Sequence, residues 1–260
     1  MSAHPEPAAS APLRLERRGP VAWLTLDRPQ RYNVLSAEAI AALKAALDGL
    51  ASDADVRVIV LAAEGKAFCA GHDLGEMGPE AGVEELRALF AACSELMVAI
   101  QRQPQPVIAR VQGIATAAGC QLVAMCDLAV ASSAARFAVS GINLGLFCST
   151  PAVALSRNVA QKPALEMLLT GEFIDAETAR ARGLVNRVAA PEALDAEVEK
   201  LALAIAAKSP AAVAAGKRLF YRQRELATEA AYAAAGDVMA RNAVMPDARE
   251  GIAKFTRRER

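Results

Sequence analysis

Apolar residues along the chain follow two periods, one typical of strands and one typical of helices. Residues 13–18 and 21–27 alternate apolar and polar around Gly19-Pro20, which predicts a hairpin at the edge of a sheet. The β-branched run at 56–62 predicts a strand covered on both faces. Apolar residues at helical spacing predict a helix that follows Ser36 as N-cap, and a second helix over 83–102.

Residues 107–130, VIARVQGIATAAGCQLVAMCDLAV, form the centre of this pattern. They predict a buried strand, then Gly113 and a patch of small residues at 115–119, then a short apolar helix. Small residues let a ligand approach the backbone, and the first N–H groups of a helix have no intrahelical partner. This place is suited to stabilise developing negative charge. The alternative is an ordinary strand-to-helix turn that is packed tightly by alanines.

The remaining segments extend the alternation of strands and helices. Residues 64–78 predict a loop with four glycines, and residues 140–150 predict a second glycine-bearing loop. Short strands are predicted at 129–131, 136–139 and 184–188, and helices at 151–158, 161–169, 175–182 and from 191 onward, with breaks near 209–210 and 245–246. We therefore expect an α/β fold with three parts: a disordered tail (1–12), a core (13–190) and a C-terminal helical region (191–260).

Composition narrows the possible functions. With 54% hydrophobic residues in a chain of 260, a large core can be buried. Lys plus Arg equals Asp plus Glu at 29 each, so we expect no nucleic-acid partner and no anionic membrane surface as partner. Five cysteines without a CxxC pair, and only two histidines, predict buried thiols and no metal site. The N-terminus lacks the apolar core of a signal peptide and no run is apolar enough to span a membrane, so we expect a cytoplasmic protein.

Three loops in one order resemble the crotonase superfamily of enoyl-CoA hydratases and isomerases. They are RPQRYNVLS at 28–36, GKAFCAGHDL at 65–74 and GIATAAGCQLVAMCDLAVAS at 113–132, and the similarity covers roughly residues 13–258. The pairing of AAGCQLVAMCD with GLFCSTP looks most like one particular branch. The resemblance implies a crotonase-type spiral of strand-strand-helix units, a C-terminal helical trimerisation region and an acyl-CoA thioester substrate. Coenzyme A enters as part of that substrate, and we expect no separate cofactor.

The resemblance also implies an oxyanion hole made of two backbone N–H groups, those of His72 and Ala118. Fixed donors of this kind stabilise the negative oxygen of a thioester that becomes an enolate. The family usually has glycine at the second position, but alanine carries the same N–H. The imidazole of His72 has two possible roles: a loop side chain without a function, or a proton-transfer group beside the thioester.

Gln121 and Gly141 stand where hydratases of the family carry their two catalytic glutamates. An amide is a poor proton acceptor and glycine has no side chain, so ordinary hydration lacks its acid and base. Possible substitutes near the site are His72, Asp73, Glu76, Cys120 and Cys148. Asp73 is more often a cap of the following turn, and the two cysteines are more often core thiols.

For coenzyme A, the family motif implies that Ala70, Asp73 and Leu74 lie against the nucleotide and thioester arm. Arg31, Phe255 and Arg258 match positions that contact phosphate or adenine, the last two often from a neighbouring subunit. Apolar residues on more than one face of the helices after residue 191 predict a homotrimer or a dimer of trimers. Two functions remain open: an enoyl-CoA hydratase/isomerase-family lyase with weak or altered activity, or a catalytically silent acyl-CoA-binding or regulatory protein of fatty-acid metabolism.

Overall fold

The computed structural model of the chain describes residues 11–258, with side chains up to residue 257. Residues 1–10 of the predicted tail (1–12) therefore lie outside the described residues. The strands are β1 (Leu13–Arg18), β2 (Val21–Leu26), β3 (Val58–Ala63), β4 (Ala67–Cys69), β5 (Val107–Val111), β6 (Ile114–Thr116), β7 (Leu128–Ser132), β8 (Arg136–Ala138), β9 (Ile174–Asp175) and β10 (Arg187–Ala189). The helices are α1 (Ala37–Ala51), α2 (Val83–Arg102), α3 (Ala118–Met125), α4 (Ser149–Leu155), α5 (Gln161–Thr170), α6 (Ala176–Ala181), α7 (Leu194–Ala206), α8 (Pro210–Gln223), α9 (Thr228–Ala243) and α10 (Pro246–Arg258).

The strands form two sheets that the chain visits alternately. The larger sheet has the order β1-β2-β3-β5-β7-β10, and the smaller has the order β4-β6-β8-β9. Three successive units, β3-β4-α2, β5-β6-α3 and β7-β8-α4, each place one strand in each sheet and then form a helix. The pairings between neighbouring units are parallel. This is the α/β spiral of strand-strand-helix units that the sequence resemblance implies.

Most predicted elements are confirmed, and the differences are local. The hairpin forms with β1 at the sheet edge, and Ser36 caps α1 by accepting the Ala39 N–H at 3.2 Å. The predicted loop at 64–78 contains β4, and β6 and β9 were also missed. The last strand is β10 at Arg187–Ala189 instead of 184–188, and α4 begins two residues before the predicted start at 151. Strands of two or three residues are too short to show an alternating pattern in the sequence.

The core lies on both faces of the larger sheet. On one face, α1, α2 and α3 bury residues such as Leu43, Leu96 and Leu122 against the strands. On the other face, α7 buries Leu194 and Val198. Although α7 follows residue 190, it therefore packs on the core, and the division of the chain at 190/191 stays a prediction.

The turns of the spiral touch backbone to backbone at two glycines. A β-carbon added to Gly113 would lie 2.1 Å from the carbonyl oxygen of Lys66, and one added to Gly119 would lie 2.1 Å from that of Cys69. Both distances are far below van der Waals contact, so any side chain would push the turns apart. This contact fixes the start of α3 against the end of β4.

The last three helices are held to the core mainly through α8. Lys217 on α8 is nearly buried, and its Nζ donates to Asp127 Oδ2 at 2.6 Å and to the carbonyl oxygens of Ile100 and Gln105 at 3.0 Å. The Tyr221 hydroxyl donates to Asp127 Oδ1 at 2.8 Å. No residue of α8 or α9 is buried in the single chain. Within residues 11–258, no helix combines the length and the apolar character needed to cross a bilayer.

Candidate active site

A cavity of about 390 Å³ opens where the loops after β4, β6 and β8 meet. We call it the site cavity. Its lining is mostly apolar, with a few polar side chains, and contains neither a Lys or Arg nor an Asp or Glu. The lining residues are Ala70, His72, Leu74, Met77, Phe90, Ala117, Ala118, Ser140, Gly141, Leu144, Leu146, Phe147, Cys148, Ser149, Thr150 and Pro151. Such a lining suits an uncharged, largely apolar group with one or two polar atoms.

The N–H groups of His72 and Ala118 are both available at the wall of the site cavity. Leu35 forms a parallel bridge to His72 by donating to Gly71 O at 2.7 Å and accepting from Asp73 N at 3.4 Å. In a parallel bridge these two bonds leave the N–H of the central residue pointing away from the partner strand. Ala118 opens α3, so its N–H has no intrahelical acceptor. Among residues 11–258 neither N–H has a hydrogen-bond acceptor.

Two backbone features bring these N–H groups together. Gly71 has φ +98°, a left-handed conformation that favours glycine, and a β-carbon there would lie 3.4 Å from the Ala118 nitrogen. Ala117 has φ +50° and ψ −120°, which is a strained conformation for alanine. The segments that carry the two donors are therefore adjacent, and the chain accepts backbone strain between them.

Replacing Ala117 by glycine should relieve that strain. Strain of this kind costs on the order of 1–3 kcal/mol. Glycine also gives the unfolded chain more conformational freedom, which reduces the gain in stability by about 0.5–1 kcal/mol. We expect Ala117→Gly to raise the free energy of unfolding by about 1 kcal/mol, measured by urea denaturation. Ala115→Gly is the matched control, because Ala115 is buried without a positive φ and should lose stability. Equal effects of the two changes would contradict the strain.

The His72 side chain lies in the site cavity and lacks a hydrogen-bond partner. Its Nε2 is buried without a partner among the described residues, and its ring contacts Phe90 edge-on at 5.3 Å between centroids. Burial lowers the pKa of His72 below its usual value, because the charged form is desolvated. The imidazole is therefore neutral at pH 7, and burial makes it a weaker base than an exposed imidazole.

The lowered pKa of His72 predicts a pH dependence of stability. Below about pH 6.5 the unfolded chain binds a proton at this histidine before the folded chain does, so stability falls as the pH falls. His72→Gln, which keeps the backbone N–H, should lose less stability between pH 7 and pH 5 than the unmodified protein. Urea denaturation at both pH values measures the difference. An identical loss in both proteins would contradict a buried, uncharged His72.

The two positions that the resemblance assigns to the family's glutamates are placed differently. Gly141 lines the site cavity, and a β-carbon there would lie 2.7 Å from both Cys148 Sγ and Leu146 O. Gln121 lies in α3 one turn after Ala117, is buried, and does not line the cavity. Its Oε1 has no hydrogen-bond partner among the described residues. Neither position supplies a group that could serve as acid or base.

The carboxylates near the site are engaged in structural contacts. Asp73 accepts from Gly75 N at 3.0 Å, which is the turn cap that the sequence favoured, and it also pairs with Arg31. Glu76 accepts from Ala37 N at 2.8 Å at the start of α1. Of the possible catalytic substitutes, these two carboxylates therefore hold the loops in place.

The cysteines behave as buried thiols. Burial raises the pKa of Cys120 to about 12. Cys148 lines the site cavity, and burial also raises its pKa, although the Gly141 N–H partly offsets this by donating to its sulfur. Neither thiol is an activated nucleophile at pH 7. Among the described residues no group of three or more potential ligands could hold a metal ion.

The structure brings together only some of the residues expected to bind coenzyme A. Ala70 and Leu74 line the site cavity, and Leu74 is largely exposed. Arg31 does not line the cavity but pairs with Asp73, which lies between the lining residues His72 and Leu74. Phe255 is exposed on α10 and does not line the cavity. The side chain of Arg258 lies outside the described residues.

Sequence reasoning missed the apolar walls of the site cavity. Met77 and Phe90 come from the loop after β4 and from α2, and Leu144, Leu146 and Phe147 come from the segment after β8. Leu144 ends a short 3₁₀ helix (Ser140–Leu144) and Leu146 lies in the loop after it; both are exposed, and single exposed apolar residues are common and carry no signal. Phe90 follows the helical period of α2 and could not be distinguished from a core residue.

The fold is that of the enoyl-CoA hydratase/isomerase class of proteins. The chain belongs to the Enoyl-CoA hydratase/isomerase family, which it matches over residues 16–260. Enoyl-CoA hydratase domain-containing protein 3 from Xenopus laevis is 45% identical over 246 residues, covering 95% of this chain and 84% of that protein. The human protein of the same name is 42% identical over 237 residues, covering 91% and 78%. The branch suggested by AAGCQLVAMCD and GLFCSTP is this one, so that prediction is confirmed.

Solved structures agree with this assignment. An enoyl-CoA hydratase from Mycobacterium smegmatis is 60% identical, with a TM-score of 0.93 over 95% of this chain and 96% of that one. The crystal structure of human enoyl-CoA hydratase domain-containing protein 3 gives a TM-score of 0.93 at 41% identity, covering 95% and 98%.

The prediction of a cytoplasmic location was wrong. The similar proteins from Xenopus laevis, Rattus norvegicus and Homo sapiens are named as mitochondrial. The expectation depended on the lack of an apolar signal-peptide core. Mitochondrial targeting segments are amphipathic and have no such core, so its absence does not distinguish the two compartments.

Proposed function

We propose that the protein binds an acyl-CoA thioester in the site cavity, with the thioester oxygen accepting from the N–H groups of His72 and Ala118. The observation that carries this proposal is the presence of two adjacent, unpartnered N–H groups in an apolar wall. Donors fixed in this way stabilise negative charge on the oxygen without reorganisation. The acyl chain would lie against Phe90, Leu146 and Phe147.

Weak or altered lyase activity follows from the same site. The family resemblance places glutamates at positions 121 and 141, which here are a buried glutamine and a glycine. The neutral imidazole of His72 is the one nitrogen base in the cavity lining, although burial lowers its pKa below the usual value. Thioester enolisation, which needs one base and an oxyanion hole, is therefore better supported than addition of water.

The second candidate is a catalytically silent acyl-CoA-binding or regulatory protein of fatty-acid metabolism. It is supported by the structural use of Asp73 and Glu76, which leaves no free carboxylate in the cavity lining. His72 would then contribute only its backbone N–H. The two functions predict the same binding and different turnover.

Calorimetric titration tests binding, and turnover assays separate the two functions. Butyryl-CoA should bind more tightly than S-butyl-CoA, a thioether that lacks the carbonyl oxygen, because only the thioester uses the two N–H donors. Equal affinities would overturn the oxyanion hole. Incorporation of deuterium from D₂O into butyryl-CoA, lost in His72→Gln, would support enolisation. Binding without exchange or hydration would support the silent function.

We also propose that the protein forms a homotrimer or a dimer of trimers. Tyr232 and Met239 on α9 and Phe255 on α10 are 77%, 76% and 65% exposed in the single chain. Large apolar side chains this exposed on neighbouring helices are typical of a surface that another chain covers. Light scattering at micromolar concentration tests this proposal, and a monomeric mass would overturn it.

A further inference from the structure

A second cavity, of about 520 Å³, lies between the C-terminal end of α2, the segment after α4, and α8. We call it the arginine cavity. Five guanidinium groups and one carboxylate line it: Arg102, Arg157, Arg218, Arg222, Arg224 and Glu225. In a chain whose formal net charge is zero, this is a strong local excess of positive charge.

In the described part of the chain, no ion pair explains the grouping of the five arginines. None of them pairs with a carboxylate among the described residues, whereas Arg14, Arg28 and Arg182 elsewhere do. Arg157 and Arg224 donate only to main-chain oxygens, at 3.1 and 2.6 Å.

Two of the remaining arginines lie four residues apart on one helix. Arg218 and Arg222 therefore share a face of α8, where like charges at this spacing destabilise a helix. Two like charges at this spacing do not stabilise α8, so the stability of the helix does not explain the pair.

The arginine cavity is separate from the site cavity. Phe90 and Arg102 are twelve residues apart on α2, which corresponds to about 18 Å along a helix. Pro104 lines the arginine cavity and lies just before the amino end of β5. The site cavity instead lies beyond the carboxyl ends of β4, β6 and β8. A ligand of the arginine cavity therefore lies away from the proposed thioester position, toward the opposite ends of the strands.

We propose that the arginine cavity binds a small molecule that carries two or more phosphate groups. A guanidinium group binds phosphate through two parallel N–H bonds, and five such groups exceed what one phosphate can use. Val98, Pro104 and Ala214 provide an apolar wall for an organic part. The Tyr221 ring also lines the cavity while its hydroxyl donates to Asp127, so a bound ligand would hold α8 against the core.

Pyrophosphate is the probe for this proposal, compared with orthophosphate and sulfate at constant ionic strength. Calorimetry on the full chain should give saturable binding of one pyrophosphate per chain, tighter than either single anion. The melting temperature should rise with pyrophosphate concentration, as it does for any ligand that binds only the folded state. Arg218→Ala with Arg222→Ala should weaken binding at least about tenfold.

Two variants control for general charge effects. Arg180→Ala removes an exposed arginine on α6 that pairs with Glu177, and it should leave pyrophosphate affinity unchanged. Arg218→Lys with Arg222→Lys keeps the charge but not the paired donors, and its affinity should lie between those of the unmodified and alanine proteins. Circular dichroism confirms that each variant is folded. Absence of saturable binding would overturn the proposal. An equal loss of affinity in Arg180→Ala would also overturn it, because it would show that anions bind elsewhere on the protein.

Discussion

Hydration of crotonyl-CoA by this protein is expected to be at least about 10³-fold slower than by a family member with both glutamates. A positioned acid or base contributes about 10²–10⁴ in rate, and the positions implied for both are occupied by Gln121 and Gly141. Binding should survive, because the proposed donors to the thioester oxygen are backbone N–H groups. Steady-state kinetics on both proteins, with kcat and KM separated, measures the difference. Hydration at rates ordinary for the family would contradict this argument.

The packing around Gly141 limits how activity can be restored. A β-carbon at this position would lie 2.7 Å from the Leu146 backbone oxygen, so Gly141→Glu has to displace the loop that forms one wall of the site cavity. We expect the variant with Gln121→Glu and Gly141→Glu to lose stability and to gain no hydratase activity. Gly141→Ala is the matched control, because it adds the same steric conflict without a carboxylate. A folded double variant with restored hydration would show that the loop can adapt.

Lys217→Met is expected to lower the free energy of unfolding by about 3–5 kcal/mol. It removes one partner of a buried ion pair and leaves the Asp127 carboxylate without a counter-charge, with only the Val107 N–H and the Tyr221 hydroxyl as donors among the described residues. The pKa of Asp127 is already raised and that of Lys217 lowered, in both cases chiefly by burial. The carbonyl oxygens of Ile100 and Gln105 would also lose their donor.

Urea denaturation at fixed protein concentration and pH 7 measures this loss. Lys44→Met is the matched control, since Lys44 pairs with Asp48 across one turn of α1 in an exposed position. Exposed pairs of this kind contribute about 0.3–0.5 kcal/mol. A loss below about 1 kcal/mol for Lys217→Met would show that Asp127 is neutralised or hydrated once its partner is gone.

The long elements could be predicted from the sequence, and the contacts between them could not. The predicted helix at 83–102 has the bounds of α2, because twenty residues of helical periodicity and the prolines at 104 and 106 fix both ends. The three-residue strands β4 and β6 form because they pair with each other, and a three-residue segment carries no periodic signal.

Residues of the cavity lining could be predicted where they belong to motifs, and contacts between distant segments could not. His72 and Ala118 follow from the family resemblance, and the structure places both in one cavity wall. The ion pair of Asp127 and Lys217 joins residues 90 positions apart, and no local pattern marks either as buried. The arginine cavity likewise assembles from three separate segments.

The corners between the paired strands should be the least tolerant of insertions. Two residues separate β5 from β6, and the β-carbon position of Gly113 lies 2.1 Å from Lys66 O in the preceding corner. One extra residue there would change the register of β6 and move the start of α3. Among the glycines of the loops at 70–82 and 140–148, the shortest such distance is 2.7 Å, at Gly141. Insertions that change ligand preference are therefore expected in these loops, while the corners keep a fixed length.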